Sequence, residues 1–170
     1  NMKLLKSLFV LFVAVSLVSC SSDDDNNQFV LNNANLSGTH SITYFTTSDT
    51  ETTNVNGLDV VSEFTTVGDT FQITVVFSEN GTYVIDGEYR NNYVVKVAGQ
   101  IIDEGFEIID VTNETGDYTT NNSTMEIVLD GETFDVTLFN ENELRIVSED
   151  SYTENDILYE YSSEIRMVRQ

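Results

Sequence analysis

Apolar and polar residues alternate with a period of two along most of the chain from Leu36 onward. A period of two sends successive side chains to opposite faces of an extended strand, whereas a helix requires a period near 3.6. Glycine, asparagine and aspartate recur between the alternating runs, which is typical of tight turns. The pattern therefore predicts an all-β domain, an antiparallel up-and-down meander of about 8–10 strands.

The first hairpin is expected at Gly81, because alternating apolar segments lie on both sides of it. A two-residue turn at positions 80 and 81 would separate the two apolar faces, whereas a three-residue loop at 79–81 joins them. The loop requires Gly81 to adopt a positive φ. The cross-strand pairs that follow are Phe77 with Tyr83, Val75 with Ile85 and Phe71 with Tyr89.

A second hairpin is expected at Asp130 and Gly131, a dipeptide favoured in type I′ turns. It pairs Ile127 with Phe134 and Met125 with Val136. Leu144 and Ile146 continue the meander after the polar residues 140–142.

Two terminal segments are predicted to close the sheet into a barrel, which removes unpaired edges. Tyr159, Tyr161, Ser163, Ile165 and Met167 share one face of the last strand, and Leu36, Gly38, His40, Ile42 and Tyr44 share one face of the first. Further strands are predicted at 58–64, 93–97, 106–111 and 116–119.

The amino terminus has the pattern of a secretion signal. Lys3 and Lys6 precede an apolar run of eleven residues at 8–18, which is far shorter than the roughly 20 residues that span a bilayer. The run ends at Leu17-Val18-Ser19-Cys20. We therefore expect residues 1–19 to be a removable signal peptide.

These four residues resemble the lipobox of bacterial lipoproteins, in which the cysteine sulfur receives a diacylglycerol. Cys20 is the single cysteine of the chain, which excludes an intramolecular disulfide and a cysteine-based zinc site. The resemblance implies a covalent lipid on Cys20 and no other cofactor. The alternative is a chance cysteine behind an ordinary signal peptide.

An acidic run follows, at Ser22, Asp23, Asp24 and Asp25. It resembles the export signal of Bacteroidota-type outer-membrane lipoproteins, which implies display on the cell surface; a periplasm-facing anchor and a bland spacer are the alternatives. Because the stretch is polar and like-charged, we expect a solvated tether. The predicted division is a signal at 1–19, a lipidated tether at 20–35 and one β domain at 36–170.

The β domain itself resembles the lipocalin-like domain of bacterial lipoproteins. The matching segments are Leu36-Ser37-Gly38-Thr39, Phe77-Ser78-Glu79-Asn80-Gly81-Thr82-Tyr83, Gly116-Asp117-Tyr118, the hairpin at Asp130 and Gly131 with Phe134 and Val136, and Arg166. The resemblance implies a barrel open at one end. His40 stands where that family usually has a tryptophan, so the usual packing of tryptophan on a carboxy-terminal arginine is absent here.

Charge excludes nucleic acid as a partner. The formal net charge is −22, and it becomes −24 once Lys3 and Lys6 leave with the signal peptide. Phosphate binding needs a basic patch, and the five remaining basic residues are scattered.

Candidate chemistry is sparse. His40 is the sole histidine, which we interpret as a hydrogen-bonded core residue. Asp86, Glu88, Glu126 and Asp135 fall opposite the apolar faces and are interpreted as solvent-facing charges. Asn54, Asn56 and Asp59 form a weak calcium candidate near a glycine turn; the alternative is an ordinary asparagine-rich loop.

The leading hypothesis is a non-enzymatic, monomeric lipoprotein of the outer membrane that binds a small apolar or glycan-like ligand, or a partner protein. A carboxylate-dependent glycan hydrolase and a structural envelope subunit without ligand are the rival classes.

Overall fold

The computed structural model describes residues 29–170, and these form one antiparallel β sheet that closes into a ring. The elements are α1 (Asn33–Leu36), β1 (Gly38–Val55), β2 (Leu58–Phe77), β3 (Thr82–Val97), β4 (Gln100–Asp110), β5 (Glu114–Asn121), β6 (Glu126–Leu129), β7 (Glu132–Phe139), β8 (Glu143–Glu154) and β9 (Ile157–Arg169). Neighbours around the ring are β1, β2, β3, β5, β6, β7, β8 and β9, and β9 pairs with β1. The predicted all-β barrel is confirmed.

Both predicted hairpins are present with the expected registers. Phe77 pairs with Tyr83 and Val75 with Ile85, and Gly81 has a φ of 86°. Asp130 and Gly131 have φ values of 49° and 90°, which is the type I′ geometry, and Ile127 pairs with Phe134.

The strand boundaries differ from the sequence prediction because several expected strands are parts of longer ones. The segment 58–64 belongs to β2 and the segment 93–97 belongs to β3, so the described residues form nine strands. The register shifts between Asp69 and Gln72, yet the ring centroids of Phe71 and Tyr89 still lie 5.8 Å apart. The irregularity bends the strand without ending it.

Tyr44 lies on the other face from the one predicted. The register of β1 against β9 shifts between Ile42 and Tyr44, and this irregularity reverses the alternation. Tyr44 therefore points outward, where the Arg166 guanidinium carbon lies 4.4 Å from its ring centroid. Phe45 takes the inward position and contacts Tyr89 edge to face.

β4 departs from a pure meander. β3 pairs with β5 through Thr82–Ile85 and with β4 through Glu88–Val97, so β5 and β4 occupy different lengths of the same strand edge. The short strands β5, β6 and β7 therefore close the ring only along its lower part. Above them, β8, β9, β1, β2, β3 and β4 continue as a six-stranded open sheet, here called the extended sheet.

The hydrophobic core fills the closed, lower part of the barrel. Its buried members are Leu31, Leu36, Val75, Phe77, Tyr118, Ile127, Phe134, Val136, Leu144, Ile146 and Met167. Leu31 and Leu36 are 1% and 0% exposed and plug the bottom of the barrel from the segment around α1. The segment before β1 therefore packs against the barrel.

Arg169 holds this plug in place. Its guanidinium donates hydrogen bonds to the carbonyl oxygens of Ser37, at 2.6 Å, and of Asn35. Charged donors make stronger hydrogen bonds than neutral ones, so the end of β9 fixes the end of α1. Within residues 29–170, no helix is both long and apolar enough to cross a membrane.

Candidate functional site

The inward face of the extended sheet continues the barrel interior upward into solvent. Cross-strand pairing places side chains on this face in three rows, because directly paired residues share a face. From the barrel upward, the lower row is Ser148, Ser163, Thr47, Thr66, Tyr93 and Gly105; the middle row is Asp150, Tyr161, Asp49, Phe64, Val95 and Asp103; and the upper row is Tyr152, Tyr159, Glu51, Ser62 and Val97.

Aromatic rings form two stacked pairs on this face. Tyr152 and Tyr159 are parallel, with ring centroids 4.9 Å apart, and Phe64 and Tyr93 stack at 6.2 Å. Tyr152 is 53% exposed and Phe64 is 41% exposed. Both halves of the sheet therefore expose aromatic rings to solvent. Tyr161 lies in the middle row, between the two ring pairs.

Polar side chains form the floor between these rings and the barrel core. Thr47 and Thr66 share a hydrogen bond of 2.8 Å between their hydroxyls. Asn91 and Ser163 are 8% and 6% exposed, and both point to the inward face. The Asn91 Oδ1 and Ser163 Oγ atoms have no hydrogen-bond partner among the described residues. Buried polar atoms are normally paired, so these two oxygens are exceptions among the described residues.

The charges on the inward face are all negative. Asp49, Glu51, Asp103, Glu107 and Asp150 lie on it, whereas the basic side chains of residues 29–170 lie elsewhere. Arg90, Lys96, Arg145 and Arg166 are on the outer face in ion pairs with Asp69, Glu63, Glu143 and Glu164, and Arg169 is at the bottom of the barrel. The face therefore disfavours anionic ligands.

Two tyrosines on this face carry raised pKa values. Burial raises the pKa of Tyr159, and the carboxylate of Glu51 raises it further. Burial likewise raises the pKa of Tyr89, at the top of the core, with a contribution from Glu107. Both phenols therefore stay protonated, and able to donate hydrogen bonds, to a higher pH than an ordinary tyrosine.

An open depression of about 500 Å³ lies on the opposite, outer side of β8, β9 and β1. Its lining is Ser48, Thr50, Glu149, Asp150, Ser151, Glu160, Tyr161 and Ser162. Hydroxyls and carboxylates predominate there, and ligand sites usually combine a few polar groups with larger apolar surface. We therefore place the candidate site on the inward face.

Several residues singled out from sequence fall elsewhere. Cys20 and the acidic run Ser22, Asp23, Asp24 and Asp25 lie outside the described residues, as do Lys3 and Lys6. Asp86, Glu88 and Asp135 are exposed and Glu126 is half-buried, away from the candidate site.

The calcium candidate forms the turn between β1 and β2. The Asn54 side chain accepts a hydrogen bond from Gly57 N at 2.9 Å and donates one to Asp59 at 2.8 Å. Asn56 has a φ of 53°, as the first central residue of the turn. These contacts account for the residue types without an ion. No group of three or more histidine, cysteine, aspartate or glutamate side chains within 29–170 is arranged to hold a metal.

His40 is a core residue, as interpreted. It is 2% exposed, its Nδ1 lies 3.3 Å from the Gly38 carbonyl oxygen, and its ring meets Phe77 edge to face. Burial lowers the pKa of His40, and the nearby Arg169 charge lowers it further.

Sequence reasoning did not identify the inward-face site. The alternation of Tyr159, Tyr161 and Ser163 was visible, and it did place these residues on one face. Which residues of β1, β2 and β3 stand beside them depends on irregularities in two strands, and no turn signal marks those positions. The place of Asn91 and Tyr93 in the site could have been predicted only from the pairing register of β3 with its neighbours.

Comparison with known proteins gives little further information. No family model matches the sequence, and no curated protein matches it significantly. Two matches among solved structures are the crystal structure of Ail, the attachment invasion locus protein of Yersinia pestis, alone and in complex with the heparin analogue sucrose octasulfate. They share 10% and 7% identity, cover 79% of this chain and 100% of that chain, and have a TM-score of 0.23. A similarity this low carries no argument about function.

Proposed function

We propose that the protein is a non-enzymatic binding module whose inward face holds a neutral or amino-bearing glycan-like ligand. The observation that carries the proposal is the combination of exposed aromatic rings with hydrogen-bond acceptors on a single face. Sugar rings present C–H faces that pack on aromatic rings and hydroxyls that donate to carboxylate and amide oxygens. Tyr161 and Asp49, adjacent in the middle row, offer both kinds of contact.

A small apolar ligand inside the barrel fits less well, because side chains occupy the closed part. Ile127, Leu144 and Ile146 are 0% exposed there. The binding surface is instead the open sheet above the core, which suits an extended ligand lying across several strands. The excess of carboxylates favours ligands without negative charge.

Binding can be followed by intrinsic tyrosine fluorescence, because the chain contains 8 tyrosines and no tryptophan. The full chain is titrated with cellohexaose, chitohexaose and, as an anionic comparison, a hyaluronan hexasaccharide. We expect saturable binding of at least one neutral oligosaccharide and at least tenfold weaker binding in Tyr161→Ala and Tyr93→Ala. Tyr44→Ala, on the outer face, is the matched control and should bind normally. If no neutral oligosaccharide binds, or if Tyr161→Ala binds as the wild type does, the proposal is wrong.

A glycan hydrolase is the second candidate, because Asp49 and Asp150 flank Tyr161 in the middle row. Two inter-strand spacings separate them by about 10 Å, close to the separation of carboxylates in inverting glycosidases. Product analysis after prolonged incubation with the bound oligosaccharide distinguishes the two functions. Cleavage that is lost in Asp49→Asn and in Asp150→Asn would establish the hydrolase, and binding without cleavage supports the module. A structural envelope subunit would bind none of the sugars.

We further propose that Cys20 carries a lipid that anchors the protein to the outer membrane. An acyl chain contributes about 0.8 kcal/mol per buried CH₂, and stable anchoring takes more than one chain. Cys20→Ala should therefore release the protein and abolish labelling by a fatty-acid analogue. Equal labelling of mutant and wild type would contradict the anchor.

The acidic run supports a proposal of surface display. Replacing Asp23, Asp24 and Asp25 by alanine should preserve lipidation but hide the protein from protease added to whole cells. If both forms are digested equally, the run is only a spacer.

A further inference from the structure

The free edge of β4 is a second interaction surface, at the side of the extended sheet. β4 pairs with β3 and with no other strand of residues 29–170. It spans 11 residues, and a strand edge of this length presents a row of unpaired backbone groups. Natural proteins usually shorten, cover or charge such an edge.

The register identifies which backbone groups point outward. Val111 N donates a hydrogen bond to Gly87 O at 2.9 Å. In an antiparallel pair every second residue bonds the neighbouring strand, so the backbone groups of Ile109, Glu107 and Gly105 also point to β3. The amides and carbonyls of Glu104, Phe106 and Ile108 consequently point to the free edge. Three residues at alternate positions, each with its backbone groups pointing to the free edge, are enough to align an added strand.

Apolar side chains are unusually exposed along the same strand. Ile101, Ile102, Phe106 and Ile108 are 57%, 62%, 63% and 57% exposed. On the side toward β3, Phe106 and Ile108 line a depression of about 220 Å³ together with Arg90 and Tyr89. The Arg90 guanidinium carbon lies 5.6 Å from the Phe106 ring centroid. A strand placed next to β4 can instead pack its outward apolar side chains beside the exposed Phe106 and Ile108.

The negative charge of β4 favours a basic partner. Asp103, Glu104, Glu107 and Asp110 lie within β4, which has no basic residue. Two copies of β4 placed side by side would bring like charges together, which destabilises a sheet. A strand with lysine or arginine would instead place positive charge opposite Asp103 and Glu107.

We propose that β4 binds an extended segment of a basic partner protein by β-strand addition. The segment alternates, with Lys or Arg beside the inward-facing Asp103 and Glu107 and apolar residues beside the outward-facing Phe106 and Ile108. Main-chain hydrogen bonds hold the strand, and the alternating side chains give specificity.

The proposal is tested with the full chain and three ten-residue peptides: one alternating Lys and Val, one alternating Glu and Val, and the Lys–Val peptide methylated on alternate backbone nitrogens. We expect the Lys–Val peptide to bind at least tenfold more tightly than either of the others. Hydrogen exchange should show new protection at the amides of Glu104, Phe106 and Ile108.

Matched variants separate strand addition from general attraction to an acidic protein. Glu107→Gln and Phe106→Ala should each weaken binding of the Lys–Val peptide several-fold. Glu160→Gln, the same charge change at an exposed position of β9, should not. Equal binding of the methylated peptide, equal weakening by Glu160→Gln, or protection confined to other strands would overturn the proposal. It would also be overturned if these amides were already protected in the free full chain, by its own amino-terminal segment or by a second copy.

Discussion

At the scale of single residues, Gly87 is the most constrained backbone position of β3. Its φ is 126°, and a β-carbon there would run into the Gln72 carbonyl and lie 2.8 Å from the Ile73 α-carbon. Gly87→Ala should therefore destabilise the protein by about 3 kcal/mol or more, combining backbone strain with a collision against backbone. Denaturant midpoints measure the change.

Gly131→Ala is the matched control. Gly131 also has a positive φ, of 90°, but apart from its own backbone and its two chain neighbours no described atom lies within 4 Å of the added carbon. The expected cost is about 1 kcal/mol, from the dihedral angle alone. Equal costs at the two glycines would contradict the close approach of β2 and β3 at Gly87.

His40 predicts a pH dependence. Its pKa lies below the ordinary value of 6.5, chiefly because burial disfavours the charged ring. Below pH 6.5 the unfolded chain takes up a proton on this histidine, whereas the folded protein does not. The contribution of neutral His40 to the free energy of unfolding is therefore complete above that pH and is lost as the pH falls below it. The free energy of unfolding of the wild type, relative to His40→Gln, should therefore decrease from pH 7.5 to 5.5. A difference that stays constant or increases over this range would contradict the burial of a neutral histidine.

At the scale of elements, the turns were predictable and the strand irregularities were not. Gly81, and Gly131 after Asp130, occupy turn positions that require a positive φ, and glycine at these positions is visible in the sequence. The irregularities after Ile42 and Asp69 carry no such signal, since Thr70 adopts a φ of 53° although β-branched residues disfavour it. Both irregularities show only in the pairing with β9 and β3, so the sequence pattern assigned Tyr44 to the wrong face.

β3 and β5 are joined by a ladder of four residue pairs, and Asp130 bridges the two strands. The carboxylate accepts hydrogen bonds from Tyr83 Oη at 2.6 Å and from Asp117 N at 2.8 Å. The Tyr83 hydrogen bond lowers the pKa of Asp130, with a further contribution from Asp117 N. This contribution to stability is present above the ordinary aspartate pKa and is lost as the pH falls through the lowered one.

Tyr83→Phe should therefore raise the pKa of Asp130 toward its ordinary value, as followed by carboxyl NMR. The same variant should speed amide exchange at position 83 and at Ile85, whose amides face β5 in the four-residue ladder. Tyr152→Phe removes a hydroxyl at the other end of the molecule and should change neither quantity. An unchanged Asp130 pKa in Tyr83→Phe would exclude the bridge.

At the scale of the whole molecule, the barrel has a packed end and an open end. The buried core lies between α1 and the level of Ile73, whereas the extended sheet is covered on neither face by another element of the described chain. Hydrogen exchange should therefore protect Val75, Ile127 and Ile146 most strongly and exchange Val60, Val95 and Tyr152 much faster. Uniform protection over both regions would contradict the division.

The closed half of the barrel could be predicted because the sequence features that specify it lie close together along the chain. Alternation, turn dipeptides and the pairing of apolar faces specify the closed part of the ring and most of the core. The candidate site has no such local pattern: Asn91, Tyr161 and Phe64 lie far apart in sequence and meet only through the combined register of β1, β2, β3 and β9. Polar and aromatic residues also occur at ordinary solvent-facing positions, so composition alone does not mark them.

The proposed ligand site is the inward face of the extended sheet. Its most direct test is an NMR titration of the full chain with the neutral oligosaccharide that binds, following the Asn91 side-chain amide and the backbone amides of Thr47, Phe64, Tyr93 and Tyr161. These signals should shift together with one saturation curve, while those of Ser48, Thr65 and Ser162 on the outer face should move little. Shifts concentrated on the outer face, or an Asn91 amide that does not respond, would contradict this placement.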